Sequence, residues 1–269
     1  MDALTIRAVI LDWAGTTVDF GSCAPAAVFL DLFFRRGVEI TMEQAREPMG
    51  LPKKDHLRAI AQMPDVVAAW RRAHGRSPVE ADVDSMYEDF VPLQMACLKE
   101  YAELIPGAAE TARILRARGL KIGSTTGYTE EMMAVVAEEA RLQGYAPDCI
   151  VVPSQAPAGR PAPYMCWRAA TELQVYPPAA IVKVGDTVVD IEEGRNAGTW
   201  AVAVAMTGNE LGLGPREAAS LSADEWHARR AAAHAKLSAV GAHLVIDGIA
   251  ELPAAIDELN QRLSQGETP

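Results

Sequence analysis

Six short runs rich in Val and Ile recur along the chain: "AVILDW" (8–13), "LKIGSTT" (120–126), "CIVVP" (149–153), "IVKVGD" (181–186), "WAVAVA" (200–205) and "HLVID" (243–247). Most are bounded by Gly, Pro or Asp, the signature of short buried strands. Helical patterns lie between them: "GAAETARILRARG" (107–119) and "EEMMAVVAEEARLQG" (130–144) are amphipathic and end in Gly, and "YMCWRAATELQ" (164–174) follows a Pro-rich start. Strands that alternate with helices predict βαβ units and an α/β fold with a doubly wound, Rossmann-like parallel sheet. The C-terminal "ELPAAIDELNQRL" (251–263) reads as a closing amphipathic helix and "SQGETP" as a frayed tail.

Residues 21–99 break the alternation. They offer only helical candidates: 25–37, 41–47, 52–63, 64–75 and 79–104, the last expected to kink or split at Pro92. The pattern predicts a core domain made of 1–20 and 100–269, with a helical cap domain, 21–99, inserted after the first strand.

At 269 residues and 49% apolar composition the chain can fill a core domain plus a smaller insert. Its formal net charge is −11 and its Lys and Arg are scattered, which argues against a nucleic-acid-binding face. The four cysteines form no CxxC or CxxH pair, so zinc is not expected. The first residues lack the pattern of a signal peptide, and no apolar run approaches the ~20 residues that span a bilayer. A cytoplasmic protein with reduced thiols is the simplest expectation.

In an open parallel sheet, ligands gather at the carboxyl ends of the strands. Here those ends carry Asp12, then "STTG" with Thr126 and Gly127, then Arg160 in the rigid loop "PAGRPAP", then "GDTVVD" with Asp186 and Asp190. Each alone has an ordinary reading as a turn former, a helix cap or a surface charge. Together, in this order, they describe phosphoryl transfer. A carboxylate can attack phosphorus to give an acyl phosphate. Asp12 and Asp186 are hard oxygen ligands suited to Mg²⁺. Thr126 and Arg160 suit the phosphoryl oxygens, and Asp190 suits the orienting of Arg160 or of a metal-bound water.

This order of motifs resembles the haloacid dehalogenase superfamily of aspartate-nucleophile hydrolases, over residues 7–20 and about 105–206. The resemblance implies that Asp12 is the nucleophile and that Arg160 stands where most members carry Lys. The superfamily's phosphatases and sugar phosphomutases place a second acid two residues after the nucleophile, where it protonates the leaving oxygen. Here that place holds Ala14. General acid catalysis is worth ~10²–10⁴-fold, so its loss points to a leaving group that departs on carbon and needs an electron sink. A lysine imine is such a sink.

The insert supplies two lysines in "PMGLPKKDH" (48–56). Pro52 suits the first turn of a helix, which places Lys53 on a face with His56, Leu57 and Ile60, and Lys54 on the face of Arg58. Burial and the positive helix end both favour a neutral amine at Lys53. Helix geometry alone leaves open that both are solvated surface charges.

"DWAGTTVDFG", "PMGLPKKDH", "IGSTTGYT", "PAGRPAPYMC" and "KVGDTVVDIEEGRNAG" together are similar to the phosphonoacetaldehyde hydrolases, or phosphonatases, through nearly the whole chain. The resemblance implies hydrolysis of a P–C bond in the degradation of 2-aminoethylphosphonate, a Schiff base on Lys53, and a homodimer that meets through the cap. It implies Mg²⁺ held by Asp12, Asp186 and the backbone carbonyl of Ala14. His56 and Tyr128 are candidates for proton traffic or a water relay, with a structural role equally open, and Met49 is expected to shape the cap wall. The alternative is another phosphatase or phosphomutase of the superfamily, against which Ala14 argues.

Overall fold

The structure is a computed structural model that describes residues 4–269. Residues 1–3, part of the expected core segment, lie outside the described residues. The first strand, β1 (Ala8–Leu11), is followed by a wholly helical stretch: α1 (Cys23–Arg35), α2 (Met42–Arg46), α3 (Lys53–Gln62), α4 (Pro64–His74) and α5 (Glu80–Cys97). The chain then runs α6 (Ala108–Ala117), β2 (Lys121–Thr125), α7 (Glu130–Leu142), β3 (Cys149–Val151), α8 (Tyr164–Glu172), β4 (Ile181–Gly185), α9 (Val188–Asn196) and β5 (Trp200–Val204). It ends with α10 (Pro215–Ala219), α11 (Ala223–Ala239), β6 (Leu244–Ile246) and α12 (Leu252–Ser264).

The six strands form one sheet, all parallel, in the order β3-β2-β1-β4-β5-β6. This is the doubly wound, Rossmann-like arrangement that the sequence predicts. β1 lies between β2 and β4, with Leu11 in register with both Ser124 and Val184. The direction of the chain's winding reverses at β1, and a crevice opens there beyond the strand ends. Asp12, Thr126 and Asp186 are the residues that step out of β1, β2 and β4 into it.

Several elements differ from expectation. α5 passes through Pro92 without splitting. Its apolar side chains Val83, Met86 and Phe90 are buried, and packing of that face offsets the one backbone hydrogen bond that Pro92 cannot make. α9, α10 and α11 have no counterpart among the expected helices, and the longest of the three is α11. It begins at a Ser222–Glu225 capping box but buries only Ala233 and Leu237. A helix with so narrow an apolar face gives little periodic signal.

The chain leaves and re-enters the sheet side by side. Val18 bridges Leu104, Asp19 N donates to Glu103 O at 3.2 Å and Ile105 N to Thr17 O at 2.9 Å. Phe29, Leu57, Ile60, Trp70 and Phe90 of the helical stretch share one contiguous apolar cluster with Trp13, Ile122 and Val184 of the sheet region. No described helix is long and apolar enough to cross a membrane.

Candidate active site

Asp12 ends β1 with its backbone N–H on Val184 O at 2.9 Å, and its side chain is almost fully buried. The turn after it is tied to Trp13 O by three backbone N–H groups, those of Thr16, Thr17 and Val18. Gly15 takes a φ of +83°, and a Cβ there would sit 2.1 Å from Asp186 Oδ2. Only glycine lets the turn approach that acid. Ala14 faces the pocket with a methyl group and nothing ionisable.

Arg160 gathers the acids beneath. It reaches Asp12 Oδ1 at 2.7 Å, Asp190 Oδ1 at 2.8 Å and Glu193 Oε2 at 3.0 Å, and donates to Thr125 O at 2.6 Å. Lys183 Nζ contacts Asp190 at 2.7 Å and Glu193 at 3.5 Å. Two buried cations thus meet the two buried acids Asp190 and Glu193. Burial pushes the Asp190 carboxyl up, but Arg160 and Lys183 outweigh it and hold Asp190 below the usual carboxylate range.

Asp12 and Asp186 are left without a matching pair of cations. Burial is the main cause that raises Asp12, opposed by Arg160. Asp186 is pushed well up by burial and then by the charges of Asp12 and Asp190, although Thr16 Oγ1 (3.2 Å) and Asn209 N (2.7 Å) donate to it. Carboxylate oxygens of Asp12, Asp186 and Asp190 lie within 4.8 Å of one another. Hard oxygen donors with excess buried negative charge fit a divalent cation. Asp186 accepts only from the neutral donors Thr16 and Asn209 N and Asp12 has only a share of Arg160, whereas Asp190 is held by both Lys183 and Arg160, so the charge left to meet a cation lies on Asp12 and Asp186.

From the helical side, a loop at residues 50–52 presses on three core loops. A Cβ at Gly127 would lie 2.6 Å from Leu51 O, one at Gly159 2.3 Å from Pro52 Cγ, and one at Gly50 2.4 Å from Thr187 Oγ1. Lys53 follows at the start of α3 and is buried. Its Nζ lies 4.9 Å from the centre of the Tyr128 ring. Burial pushes the amine down to about 8, with Asp12 opposing. Lys54, the next residue, points outward to Asp84 and Glu80. Asp12, Ala14, Lys53, Thr126 and Arg160 line one narrow pocket of about 20 Å³, which has room for a single water molecule.

Of the remaining expected residues, Met49, Gly127 and Tyr128 line that pocket. Thr126 Oγ1 accepts from Tyr128 N at 3.1 Å. His56 does not reach the pocket wall. It stacks on Phe29 with centroids 3.9 Å apart, and its Nε2 lies 2.8 Å from Ala45 O. Burial holds the ring well below its ordinary pKa, so Nε2–H donates to that carbonyl and Nδ1 is left without a partner. Asp190 lies under Arg160 and outside the pocket lining.

Sequence reasoning missed Lys183, Glu193, Thr125 and Asp19. A lysine inside the apolar run "IVKVGD" was the available signal for the first. Asp19 accepts from Cys23 N (3.0 Å) and Ala24 N (3.1 Å) at the start of α1, and burial pushes it up to about 6.

Comparison with known proteins places this geometry. A sequence profile described as haloacid dehalogenase-like hydrolase matches residues 6–198. The chain is 48% identical to a phosphonoacetaldehyde hydrolase of Syntrophobacter fumaroxidans, over 98% of this chain and 95% of that one. It is 49% identical to a phosphonoacetaldehyde hydrolase of Bacillus cereus, over 96% and 98% respectively. A crystal structure of a phosphonoacetaldehyde hydrolase-like protein from Oleispira antarctica superposes with a TM-score of 0.97 at 41% identity, covering 100% of this chain and 98% of that one. With its strand order, its acid cluster and its near full-length likeness, the chain belongs to the phosphonoacetaldehyde hydrolase family of haloacid dehalogenase-like hydrolases.

Proposed function

We propose that this protein hydrolyses the carbon–phosphorus bond of phosphonoacetaldehyde, releasing acetaldehyde and phosphate. The name of its relatives supports the substrate. The observation that carries the chemistry is a buried amine, lowered to about 8, that shares one narrow pocket with Asp12, while Ala14 replaces a leaving-group acid.

Lys53, as the neutral amine, attacks the aldehyde carbon, and the adduct takes up a proton and loses water to give an iminium. Asp12 attacks phosphorus in line. The P–C bond breaks, and its electron pair flows into the iminium to leave an enamine on Lys53 and a phosphoryl group on Asp12. Protonation at carbon and hydrolysis release acetaldehyde and restore the amine. Water then cleaves the aspartyl phosphate. Mg²⁺, held by Asp12, Asp186 and the carbonyl of Ala14, would neutralise phosphoryl charge. Arg160, anchored by Asp190 and Glu193, keeps its guanidinium beside Asp12, where phosphoryl charge develops. Thr126 and Gly127 border the phosphoryl group. Tyr128 and Met49 keep water from the imine, and His56 supports Lys53 through the shared helix face.

On this reading residues 21–99 form a cap that must open to admit substrate, since the pocket holds about one water. Two copies meet through it as a homodimer, with Phe34 of α1, 65% exposed, as part of the contact. The four free cysteines fit a reducing cytoplasm, and the substrate fits the degradation of 2-aminoethylphosphonate.

Borohydride added with phosphonoacetaldehyde tests the reading. A reduced adduct located on Lys53 by peptide mass spectrometry, with loss of activity, is expected. An adduct on Lys54, or none, overturns the imine. Faster phosphate release from simple phosphate esters than from phosphonoacetaldehyde returns the protein to the phosphatases or phosphomutases.

A further inference from the structure

One loop outside the catalytic motifs touches the turn after Asp12, the start of the helical stretch, Asp186 and Arg46 at once. It is "TGNELGL", residues 207–213, which follows β5. Thr207 Oγ1 donates to Gly15 O at 3.0 Å, in the turn after Asp12. Thr207 O accepts from Gly21 N at 2.7 Å, where the chain passes from sheet to α1. Gly208 lies so close that a Cβ there would meet Asp186 Cβ at 2.2 Å. Asn209 N donates to Asp186 Oδ2 at 2.7 Å.

The same loop is gripped from the helical side by one residue, Arg46, at the end of α2. Its guanidinium donates to Asn209 Oδ1 (3.2 Å) and to Gly212 O (3.0 Å), and the Asn209 amide donates back to Arg46 O (3.3 Å). It also donates to Gly21 O (2.8 Å) and Ser22 O (3.3 Å). Gly212, at φ +65°, leaves the guanidinium room, for a Cβ there would lie 3.0 Å from Arg46 Nε. Arg46 therefore joins the passage from the sheet to α1, the helical insert and the loop, and the loop holds Asp186. Neither Arg46 nor Asn209 lines the pocket.

We propose that Arg46 is a positioning residue that couples the seating of the cap to the aim of Asp186, through the side chain and then the backbone N–H of Asn209. The inference rests on the reading of Asp186 as a residue that holds Mg²⁺. When the cap swings away, Arg46 leaves Asn209, and the loop loses its outer anchor. When the cap seats, the loop is fixed and Asp186 is aimed. The coupling is reciprocal by linkage, so Mg²⁺ must in turn favour the seated cap.

The test is Mg²⁺ binding by titration calorimetry, without substrate, on wild type, Arg46→Ala, Asn209→Ala and the double variant. Residues that support metal ligands from behind are worth ~10–100-fold in affinity, so each single variant should bind Mg²⁺ about tenfold more weakly. The double variant should be no weaker than the weaker single, because both changes break one link. A second readout is acetylation of the Lys53 amine, with Lys54 in the same peptide as internal standard. Mg²⁺ should slow it in wild type and not in Arg46→Ala. Asn209→Ala keeps the backbone N–H on Asp186 and is the milder change, so it decides the matter if Arg46→Ala does not fold. Unchanged Mg²⁺ affinity in Asn209→Ala, or losses that multiply in the double variant, overturns the coupling alone. Wild-type protein that takes up no Mg²⁺ overturns the metal reading and the coupling with it.

Discussion

The two faces of α3 start from the same chemistry and end in opposite states. Lys53 and Lys54 are adjacent, in one helical turn, at the same positive helix end. Lys54 faces solvent, and its hydrogen bond to Asp84 raises its amine. Lys53 turns to the interface with the sheet, and burial lowers its amine to about 8. The helix end acts on both alike, so it cannot be what separates them. Burial separates them, and burial here comes from the core loops that close over the start of α3. A reactive amine is thus made by the meeting of two parts of the chain rather than by its own helix.

The largest effect that follows is on turnover. Lys53→Arg keeps a cation but cannot form an imine, and loss of a covalent group of this kind costs on the order of 10⁴-fold or more in kcat. Lys54→Arg should leave kcat within about twofold. Steady-state release of acetaldehyde measures both. Equal losses in the two variants would erase the contrast.

Next comes the paired set of acids. Asp190→Asn leaves Arg160 and Lys183 buried with one carboxylate fewer, and breaking such a network costs ~3–5 kcal/mol of stability. Urea unfolding measures it. A change below about 1 kcal/mol would mean that Asp12 takes over the partnership, and that the cations are shared more freely than their distances suggest.

The fold was legible because all six strands are apolar runs ended by turn residues, and a parallel sheet buries both faces of each. The strand ends then named Asp12, Thr126 and Asp186 before any geometry was known. Lys53 was legible only as one of two, since helix periodicity gives a face but not what covers it. Lys183 was marked only by its place in an apolar run, and its meeting with Glu193 was not legible, because that depends on how α9 lies over β4. Arg46 and Asn209 stand 163 residues apart in sequence and share no motif. α11 was missed for a different reason, as its face is nearly all polar or Ala.

A smaller effect tests burial through pH. The Lys53 amine has a pKa of about 8 in the folded chain and about 10.5 when unfolded. Between those values the unfolded chain binds more protons, so stability rises with pH across that window. Below about pH 8 the cost of the buried ammonium is fully present. Lys53→Met removes that cost. At pH 7 it should be more stable than wild type by about 1–3 kcal/mol while inactive, and the gap should close as pH approaches 10.5. Denaturant unfolding at pH 7 and pH 10 measures both values. A variant less stable than wild type at pH 7 would show that Asp12 and Tyr128 hold the ammonium more firmly than burial repels it.

The smallest effect belongs to the outer face, and it is the control for all the others. Lys54 pairs with Asp84 and Glu80 at the solvent-facing surface, where Coulomb attraction is weak and ordering two long side chains opposes it. Glu80 also has Arg58 as a partner, so it does not lose its counter-charge when Lys54 is removed. Lys54→Ala should therefore leave the unfolding midpoint and kcat unchanged within error, and should leave the rise of Lys53 reactivity through about pH 8 in place. If instead Lys54→Ala shifts that rise, the two amines are electrically coupled through the helix end. The difference between the two faces would then come partly from their shared turn, and not from the closure of the core loops alone.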